Sequence, residues 1–302
     1  MFKKLRSIAR YLYTYLKADT YIAVYPDIKA SRTKVNLFEY HPQRFYNNLY
    51  NEQPYNLGDS LSFVVVDWML RRAGKSIDSN KGHNKKKYVH LNSIGSNVFS
   101  SFQNAVIWGS GSGAKDELCN HKEIILNHSP FRKLDVRAVR GPLTRDLLIK
   151  YGHKCPEVYG DPAILMPLIY QPKLVDEKND ILVIPQFLYE SDFRDKYQGY
   201  TILSMNTNDY KYVIDQIASA KLVITSSLHA IILAEAYGIP AVGFKSLPKD
   251  FKYRDYYAST GRPNVRLEEN FESALSATPP PLPNLSALQK GIMEAFPYDL
   301  WI

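Results

Sequence analysis

One stretch of the chain brings a histidine and two serines to a position where an anion can bind. Residues 221–244 read K-L-V-I-T-S-S-L-H-A-I-I-L-A-E-A-Y-G-I-P-A-V-G-F, which predicts a strand, a capped helix and a second strand. The first N–H groups of such a helix lack internal partners and attract anions. His229, Ser226 and Ser227 therefore offer an imidazole, two hydroxyls and amide donors to one small anion. The alternative is a well-capped crossover helix with a partly buried histidine.

Two further charged residues stand at the ends of predicted elements. Arg140 follows a strand in V-R-G-P-L-T-R-D, and parallel sheets bind ligands at the carboxyl ends of their strands. Arg140 is therefore a candidate ligand for a carboxylate or phosphate. Asp59 follows Gly58 at the start of a long apolar helix, where a carboxylate favours the role of N-cap. The functional alternative is that Asp59 accepts a proton from a sugar hydroxyl or orients it.

A basic and aromatic segment follows the predicted strand 241–244. It reads G-F-K-S-L-P-K-D-F-K-Y-R-D-Y-Y and contains Lys245, Lys252 and Arg254. By the same strand-end rule we expect this loop to lie over a cleft near His229, as a lid for a multiply charged donor. The alternative is a solvated charged face, although the interleaved aromatic residues favour an ordered segment.

The order of the predicted elements indicates the fold class. Apolar strands without clean alternation are separated by helices, which predicts a parallel sheet in each half. We therefore expect an α/β fold with two Rossmann-like domains facing a cleft. Charged residues at 173–180 place the boundary between an N-terminal domain, 1–172, and a C-terminal domain, 173–302. After a proline cluster, a final helix at 285–295 is expected to pack back across the domains.

Composition limits the classes of partner. The chain has 302 residues, and 38 Lys and Arg against 30 Asp and Glu give a net charge of +8, which favours anionic partners. Nucleic acid is not expected, because the sequence has no zinc spacing, repeat or aromatic RNA-binding signature. Two cysteines in no metal-type spacing predict neither a disulfide framework nor a metal site and fit a reducing compartment.

The first 17 residues form a basic amphipathic pattern. Leucine, isoleucine and alanine share one helical face, while lysine and arginine add positive charge. Such a helix is suited to an anionic membrane surface. An ordinary helix packed on the domain fits the same pattern.

Six short strings together resemble the polysaccharide pyruvyl transferase family, especially its ketal-forming branch in bacterial exopolysaccharide synthesis. They are N-L-G-D at Asn56, W-G-S-G-S at Trp108, V-R-G-P-L-T at Val139, G-D-P-A at Gly160, S-L-H-A at Ser227 and F-K-Y-R-D-Y at Phe251. The resemblance implies a fold similar to B-type glycosyltransferases and no metal or other cofactor. It also implies transfer of pyruvate from phosphoenolpyruvate onto two hydroxyls of one sugar. The implied location is the bacterial cytoplasm, with the first helix at the inner face of the membrane.

The expected site residues follow from these patterns. His229 and Asp59 are the expected catalytic residues. The expected donor-binding residues are Arg140, Ser226, Ser227, Lys245, Lys252 and Arg254. The expected acceptor-binding residues are Asn56, Gly58, Trp108, Gly109 and Ser110. The acceptor is expected to be a glycan or a lipid-linked sugar.

The phosphate site of the resembled family typically reads R-L-H, whereas this chain has Ser227 in place of that arginine. We expect Arg140, Lys245 or Arg254 to supply the missing charge, so Arg254→Ala should weaken donor binding strongly. We also expect His229 to become protonated mainly when the donor is bound, because a helix N-terminus disfavours the imidazolium and a phosphate favours it.

Two other functions fit the same residues. A B-type glycosyltransferase would hold the diphosphate of a nucleotide sugar at the same helix end. A non-catalytic glycan-binding subunit of polysaccharide assembly would use the 23 tyrosines as its binding face.

Overall fold

Two four-stranded parallel sheets form the frame of the protein, one in each half of the sequence. The computed structural model describes residues 35–37, 56–76, 89–99, 105–113, 133–175, 179–186, 189–246 and 250–301. Within them, the predicted α/β class with parallel sheets is confirmed. The division into two domains facing a cleft, with its boundary after residue 172, stays a prediction.

The strands of the first sheet are paired in the order β1-β2-β3-β4, and those of the second in the order β6-β5-β7-β8. The first sheet contains β1 (Val35–Leu37), β2 (Val89–Asn92), β3 (Ala105–Trp108) and β4 (Leu134–Ala138). The second contains β5 (Ile181–Ile184), β6 (Thr201–Ile202), β7 (Leu222–Thr225) and β8 (Ala241–Gly243). β3 is buried at all four positions, as expected for a parallel strand covered on both faces.

Helices connect and cover these strands. The α-helices are α1 (Leu57–Arg72), α2 (Pro142–Lys150), α3 (Met166–Ile169), α4 (Glu190–Lys196), α5 (Tyr210–Ala218), α6 (Leu228–Ala236), α7 (Phe251–Ser259), α8 (Phe271–Ser276) and α9 (Ser286–Glu294). Short 3₁₀ helices span Pro162–Leu165 and Tyr298–Leu300. α2 begins with proline at its first position, where no N–H is needed.

The segment after β8 differs from the predicted loop. Residues 251–259 form α7, and Phe251, Tyr253, Tyr256 and Tyr257 are all buried. Burial of four large aromatic side chains within seven positions stabilises a packed helix and leaves no free loop at these residues. The expected lid is therefore corrected to a helix of the core, and the prediction that the segment is ordered is confirmed.

The start of α1 also differs in detail from the prediction. Asn56, not Asp59, occupies the N-cap position, with extended backbone angles. Asp59 is the third residue of the helix, and the Asn56 Nδ2–H group donates to its Oδ2 atom at 3.1 Å. Asp59 therefore lies in the first turn, where a carboxylate still interacts favourably with the helix dipole.

The largest buried apolar cluster of the described residues joins the two halves of the chain. It includes Leu61 and Trp108 from the first half and Ile231 from the second. A backbone hydrogen bond also links the halves, since the Leu57 N–H donates to the Met205 carbonyl at 3.0 Å. The start of α1 is thus fixed against the second half.

The C-terminal helix α9 packs back on the first half, as predicted. The Trp108 indole N–H donates to the Ile292 carbonyl at 2.8 Å, and Gln289 Nε2 donates to the Ile164 carbonyl at 2.9 Å. The ring of Phe296 lies edge-to-face on Trp108, with 4.8 Å between ring centroids. The chain end therefore covers part of the core built by residues far upstream.

Within the described ranges, none of the helices is both long enough and apolar enough to cross a lipid bilayer. Segment 1–17, predicted to contact an anionic membrane, lies outside these ranges.

Candidate functional site

The turn between β7 and α6 places the predicted serines in different environments. Ser227 is the N-cap residue of α6, its N–H donates to Thr225 Oγ1 at 2.9 Å, and its own hydroxyl makes no capping bond. Ser226 is buried, and its hydroxyl accepts from the Gln186 N–H at 2.9 Å. Ser226 also accepts a hydrogen bond at its carbonyl from the Tyr253 hydroxyl, at 2.6 Å. Ser226 therefore holds neighbouring loops together, whereas the Ser227 side chain is the better placed for a ligand.

His229 is the second residue of α6 and is held between Gly58 and Asp161. Its side chain is 12% exposed, and its Nε2 atom lies 3.8 Å from Asp161 Oδ2. A Cβ atom at Gly58 would lie only 1.8 Å from His229 Nδ1. The glycine in N-L-G-D thus leaves the space that the imidazole fills.

Asp161 precedes the 3₁₀ helix at Pro162–Leu165 and is fully buried. Its Oδ1 atom accepts a hydrogen bond from the Ala163 N–H at 3.1 Å. Burial raises the pKa of Asp161 to about 6, against the opposing effects of the Arg140 charge and the Ala163 N–H. Among the residues that the structure describes, neither Asp161 Oδ2 nor His229 Nε2 has a hydrogen-bond partner.

Two cations affect the ionisation of His229. Burial, together with the charges of Lys252 and Arg140, lowers the pKa of His229 from 6.5 to about 3. Burial and the Arg140 charge also lower the pKa of Lys252 from 10.5 to about 8, while Asp59 acts in the opposite direction. At neutral pH the imidazole is therefore neutral and the ammonium group remains largely charged.

Arg140 lies at the end of the first sheet and is fully buried. Its Nε atom donates to Asp255 Oδ2 at 3.2 Å, and its other nitrogens donate to Ser96 Oγ at 2.9 Å and to the Ser112 carbonyl at 2.5 Å. A Cβ atom at Gly111 would lie 2.4 Å from the Arg140 guanidinium carbon. The glycine-rich segment after β3 therefore makes room for this guanidinium.

Asp255 on α7 connects Arg140 to the start of α2. It accepts hydrogen bonds from the Thr144 N–H at 3.0 Å and from the Thr144 hydroxyl at 2.6 Å. This carboxylate thus caps a helix of the first half from a helix of the second, and it balances the buried arginine.

A cavity of about 180 Å³ lies beside these groups, at loops that follow strands of both sheets. It is lined by Ser96, Gly113, Gln186, Lys245, Ser246, Lys252, Tyr253 and Leu267. Lys245 also forms an ion pair with Glu269. The structure therefore brings Lys245 and Lys252 of the predicted donor-binding set to one cavity. Arg254 does not line it; its side chain lies 4.0 Å from Asp250.

The predicted acceptor-binding residues are not all placed at a surface. Asn56 and Gly58 lie at the start of α1 beside Asp59 and His229. Trp108 and Ser110 are fully buried, with Ser110 donating to the Gly95 carbonyl at 3.0 Å. Gly109 has a φ of 86° and is packed so closely that a Cβ atom would lie 2.3 Å from the Pro162 ring. Trp108, Gly109 and Ser110 therefore make packing contacts, and none of them lines the cavity.

In the parts of the chain that the structure describes, no group of three or more His, Cys, Asp and Glu side chains is arranged to hold a metal ion.

Comparison with protein families gives a match to polysaccharide pyruvyl transferase over residues 8–246. The chain belongs to this family. The resemblance recognised from the sequence is thus confirmed, and five of its six strings lie inside the matched region. The sixth, F-K-Y-R-D-Y, follows it and contributes Asp255 to the Arg140 network of this family member.

Other proteins are similar to this chain at low sequence identity. An uncharacterised protein of Acanthamoeba polyphaga mimivirus is 28% identical over 194 residues, which cover 57% of this chain and 60% of that protein. The match therefore spans about three-fifths of the length of this curated relative. A functionally uncharacterised protein from Klebsiella pneumoniae has a TM-score of 0.46 at 15% identity, covering 74% of this chain and 92% of that one. The wall teichoic acid polymerase TagF has a TM-score of 0.39 at 12% identity, covering 100% and 93%.

Sequence reasoning about this pyruvyl transferase family member missed Asp161 and Asp255. Both lie in strings that carried the resemblance, G-D-P-A and F-K-Y-R-D-Y, which was the signal available for them. Their partners His229, Arg140 and Thr144 are distant in sequence, so no local spacing indicates the contacts.

Proposed function

We propose that the protein transfers the pyruvyl group of phosphoenolpyruvate to two hydroxyls of one sugar in a surface polysaccharide or its precursor, forming a ketal and releasing phosphate. One observation carries the proposal. A buried histidine with an unpartnered nitrogen lies near Lys252, which lines a cavity that also contains Lys245. An enol phosphate that must be held as an anion and protonated on carbon requires both kinds of group.

The donor lies in this cavity with its charges toward Lys245 and Lys252. Both ammonium groups reach the cavity from the carboxyl side of β8, where parallel sheets bind anions. Lys252 also affects the pKa of His229, which places its charge close to the imidazole. The Ser227 hydroxyl and the start of α6 complete the phosphate site.

Lys252 takes the role of the arginine that the resembled family has in place of Ser227. The geometry favours Lys252 over Arg254, because Lys252 lines the cavity and Arg254 does not. Parallel measurements on Lys252→Ala and Arg254→Ala decide between them. The larger loss of donor affinity identifies the residue that holds the phosphate.

Arg140 supports the donor site from behind. Its guanidinium donates to Ser96, and Ser96 lines the cavity. The positive charge of Arg140 therefore lies behind Ser96 and attracts an anion in the cavity. The ion pair with Asp255 holds the guanidinium in place.

The reaction balances with two proton transfers. The methylene carbon of the donor gains a proton to become a methyl group, and a sugar hydroxyl adds to the adjacent carbon as it becomes cationic. A second hydroxyl then displaces phosphate, which leaves as hydrogen phosphate. One hydroxyl proton thus replaces the proton that was given to the methylene carbon. The other hydroxyl proton leaves with the phosphate. His229 serves as the proton-transfer group, and Asp59, which contacts Asn56, orients or deprotonates the acceptor hydroxyl.

The acceptor is a glycan or a lipid-linked sugar. We place the reaction in the cytoplasm, and contact of residues 1–17 with the inner face of the membrane would bring the enzyme to a lipid-linked acceptor.

The test incubates the full chain with phosphoenolpyruvate and a panel of free and lipid-linked acceptor glycosides. We expect one added pyruvate ketal by mass spectrometry, with an equal amount of free phosphate. His229→Gln should abolish both. Lys290→Met, which removes an exposed lysine on α9, is the control expected to leave them unchanged.

Two outcomes would overturn the proposal. Consumption of a nucleotide sugar with release of a nucleoside diphosphate would identify a B-type glycosyltransferase. Glycan binding that survives His229→Gln, with no turnover of any donor, would identify a non-catalytic binding subunit.

A further inference from the structure

Two unpartnered polar atoms face each other in the core beside the proposed active site. His229 Nε2 and Asp161 Oδ2 are buried and lie 3.8 Å apart, and neither makes a hydrogen bond to any of the described residues. Buried polar atoms without partners are rare in folded proteins, so this pair needs a physical explanation. A separation of 3.8 Å is too long for a hydrogen bond, and a shift of about 1 Å would form one.

Asp161 cannot turn away from the histidine without losing a contact. Its Oδ1 atom accepts the Ala163 N–H at the start of the 3₁₀ helix, which fixes the plane of the carboxylate. Oδ2 is therefore held toward α6. Gly58 packs against the opposite part of the ring, near Nδ1, and restricts the imidazole from the other side.

Charged groups from several elements surround the pair. Arg140 and Lys252 are the positive groups that act on His229, and they disfavour a second positive charge there. Asp161 brings a carboxylate oxygen to 3.8 Å from His229 Nε2. Of the other carboxylates, Asp255 raises the pKa of Asp161, and Asp59 raises the pKa of Lys252.

We propose that Asp161 is a positioning residue that holds His229 in the tautomer with its proton on Nε2 and accepts the hydrogen bond of the imidazolium once an anion occupies the site. The second part rests on the proposed function; the first does not. An ionised Asp161 attracts an N–H group and repels a nitrogen lone pair. The other ring nitrogen, Nδ1, is then left as the basic atom.

The variant Asp161→Asn isolates this effect. Its side-chain oxygen can still accept the Ala163 N–H, so the cap of the 3₁₀ helix is kept. Its NH₂ group, however, would now face His229 Nε2 and donate to it. That reverses the preferred tautomer without a change of volume. Asp209→Asn is the matched control, because Asp209 caps α5 by accepting the Tyr212 N–H at 3.0 Å on the surface.

The tautomer is read directly from the imidazole nitrogen chemical shifts of protein labelled with ¹⁵N-histidine, with His229→Gln to assign the signals. At pH 8 we expect the Nε2–H form in the natural protein and in Asp209→Asn, and the Nδ1–H form in Asp161→Asn. An identical tautomer in all three proteins would overturn the proposal.

The natural protein gives an independent check if Asp161→Asn fails to fold. The Nε2–H fraction should fall as pH is lowered through about 6, where Asp161 takes up a proton, and an unchanged fraction would count against the pair.

Turnover separates this inference from the proposed function. With phosphoenolpyruvate, Asp161→Asn should lower kcat at least about 100-fold, with a much smaller change in KM for the donor, because proton transfer and not binding is impaired. If the tautomer changes in Asp161→Asn but the natural protein shows no turnover, the pairing of Asp161 with His229 is supported and the proposed function is rejected. If turnover is equal in the natural protein and the variant, the pairing is rejected and the proposed function is supported.

Discussion

Lys252 is a partly buried lysine at the cavity, and its pKa lies only about one unit above neutral pH. Burial and Arg140 lower its pKa to about 8, and Asp59 opposes them. A bound phosphate would favour the charged form and raise this pKa. The affinity of the site for anions is therefore coupled to pH in a range where exposed lysines remain fully charged.

Lys252→Met should weaken binding of phosphoenolpyruvate about 10–100-fold at pH 7, because one charge-assisted contact is lost. In the natural protein affinity should fall as pH rises through about 8, since the free ammonium group then loses its proton. Titration calorimetry between pH 6.5 and about 9.5 measures both effects. The variant should show a flatter pH dependence, and Lys290→Met should behave as the natural protein does. A natural protein with constant affinity across this range would contradict the assignment.

Asp161 is expected to reduce the stability of the protein at neutral pH. Its folded-state pKa of about 6 lies above the usual 3.8, so the stabilising effect of its proton is complete below pH 3.8 and is lost as pH rises through 6. The ionised, buried carboxylate then costs about 3 kcal/mol. The free energy of unfolding of Asp161→Asn, measured relative to that of the natural protein, should therefore rise by about 1–3 kcal/mol from pH 4 to pH 8. Urea unfolding at both pH values measures the gain, and Asp209→Asn, at an exposed cap, should show a smaller one.

At the scale of residues, the sequence predicts those groups that follow a strand or begin a helix. His229, Arg140, Lys245 and Lys252 were found in this way. Lys245 and Lys252 line one cavity, Arg140 donates to Ser96 at its wall, and the charge of Lys252 acts on His229. Asp161 was not assigned a role, because Asp before Pro reads as an ordinary turn. The contact with His229 joins positions far apart in the chain, which no local pattern encodes.

Among the elements, α1 and α6 meet at their first turns, and the contact depends on a glycine. The imidazole of His229 occupies the place of a side chain at Gly58. A glycine inside a helix ordinarily costs about 0.5–1 kcal/mol relative to alanine, so its presence here reflects the close approach.

Gly58→Ala should displace the His229 ring, reduce turnover strongly and destabilise the protein in spite of the better helix propensity of alanine. Gly291→Ala in α9 is the matched control. There a Cβ atom would meet its nearest neighbour, Val158, at an ordinary 3.7 Å. The control should gain about 0.5–1 kcal/mol without loss of turnover. Equal effects of the two substitutions on activity and on the urea midpoint would show that the ring is not held by this contact.

Strands and helices were predictable from apolar runs and caps, and the strand expected at 241–244 is observed as β8. The failure at α7 has a physical cause. Lysines and arginines at 245–254 suggested a lid loop over the cleft, whereas the four aromatic residues among them are buried and the segment 251–259 is a packed helix. Asp255 at its centre pairs with Arg140 and Thr144, and only the tertiary structure shows that partnership.

For the whole molecule, the return of the chain end to the first half is a principal long-range contact. Trp108→Phe would leave the Ile292 carbonyl buried without its donor. We expect a loss of about 1–3 kcal/mol in the free energy of unfolding. Trp68→Phe, at a half-buried position of α1, should cost less. Urea unfolding of both variants tests the difference; a smaller loss at Trp108 would mean that α9 contributes little.

The parallel character of both sheets was predictable because buried strands read as continuous apolar runs. The strand order was not, since β6 lies at an edge beside β5 while β7 occupies the interior. That arrangement depends on which helices cover which face.

The buried pair of Arg140 and Asp255 has a practical consequence for anyone who trims the gene. The match to the family ends at residue 246, yet Asp255, which pairs with the buried guanidinium of Arg140, is encoded nine codons later. A polypeptide that ends at that boundary would leave the buried Arg140 guanidinium without Asp255. It would also lack α9, whose Ile292 carbonyl accepts the Trp108 indole N–H. We expect such a product to aggregate, so the bounds of the family match do not mark a segment that should fold alone.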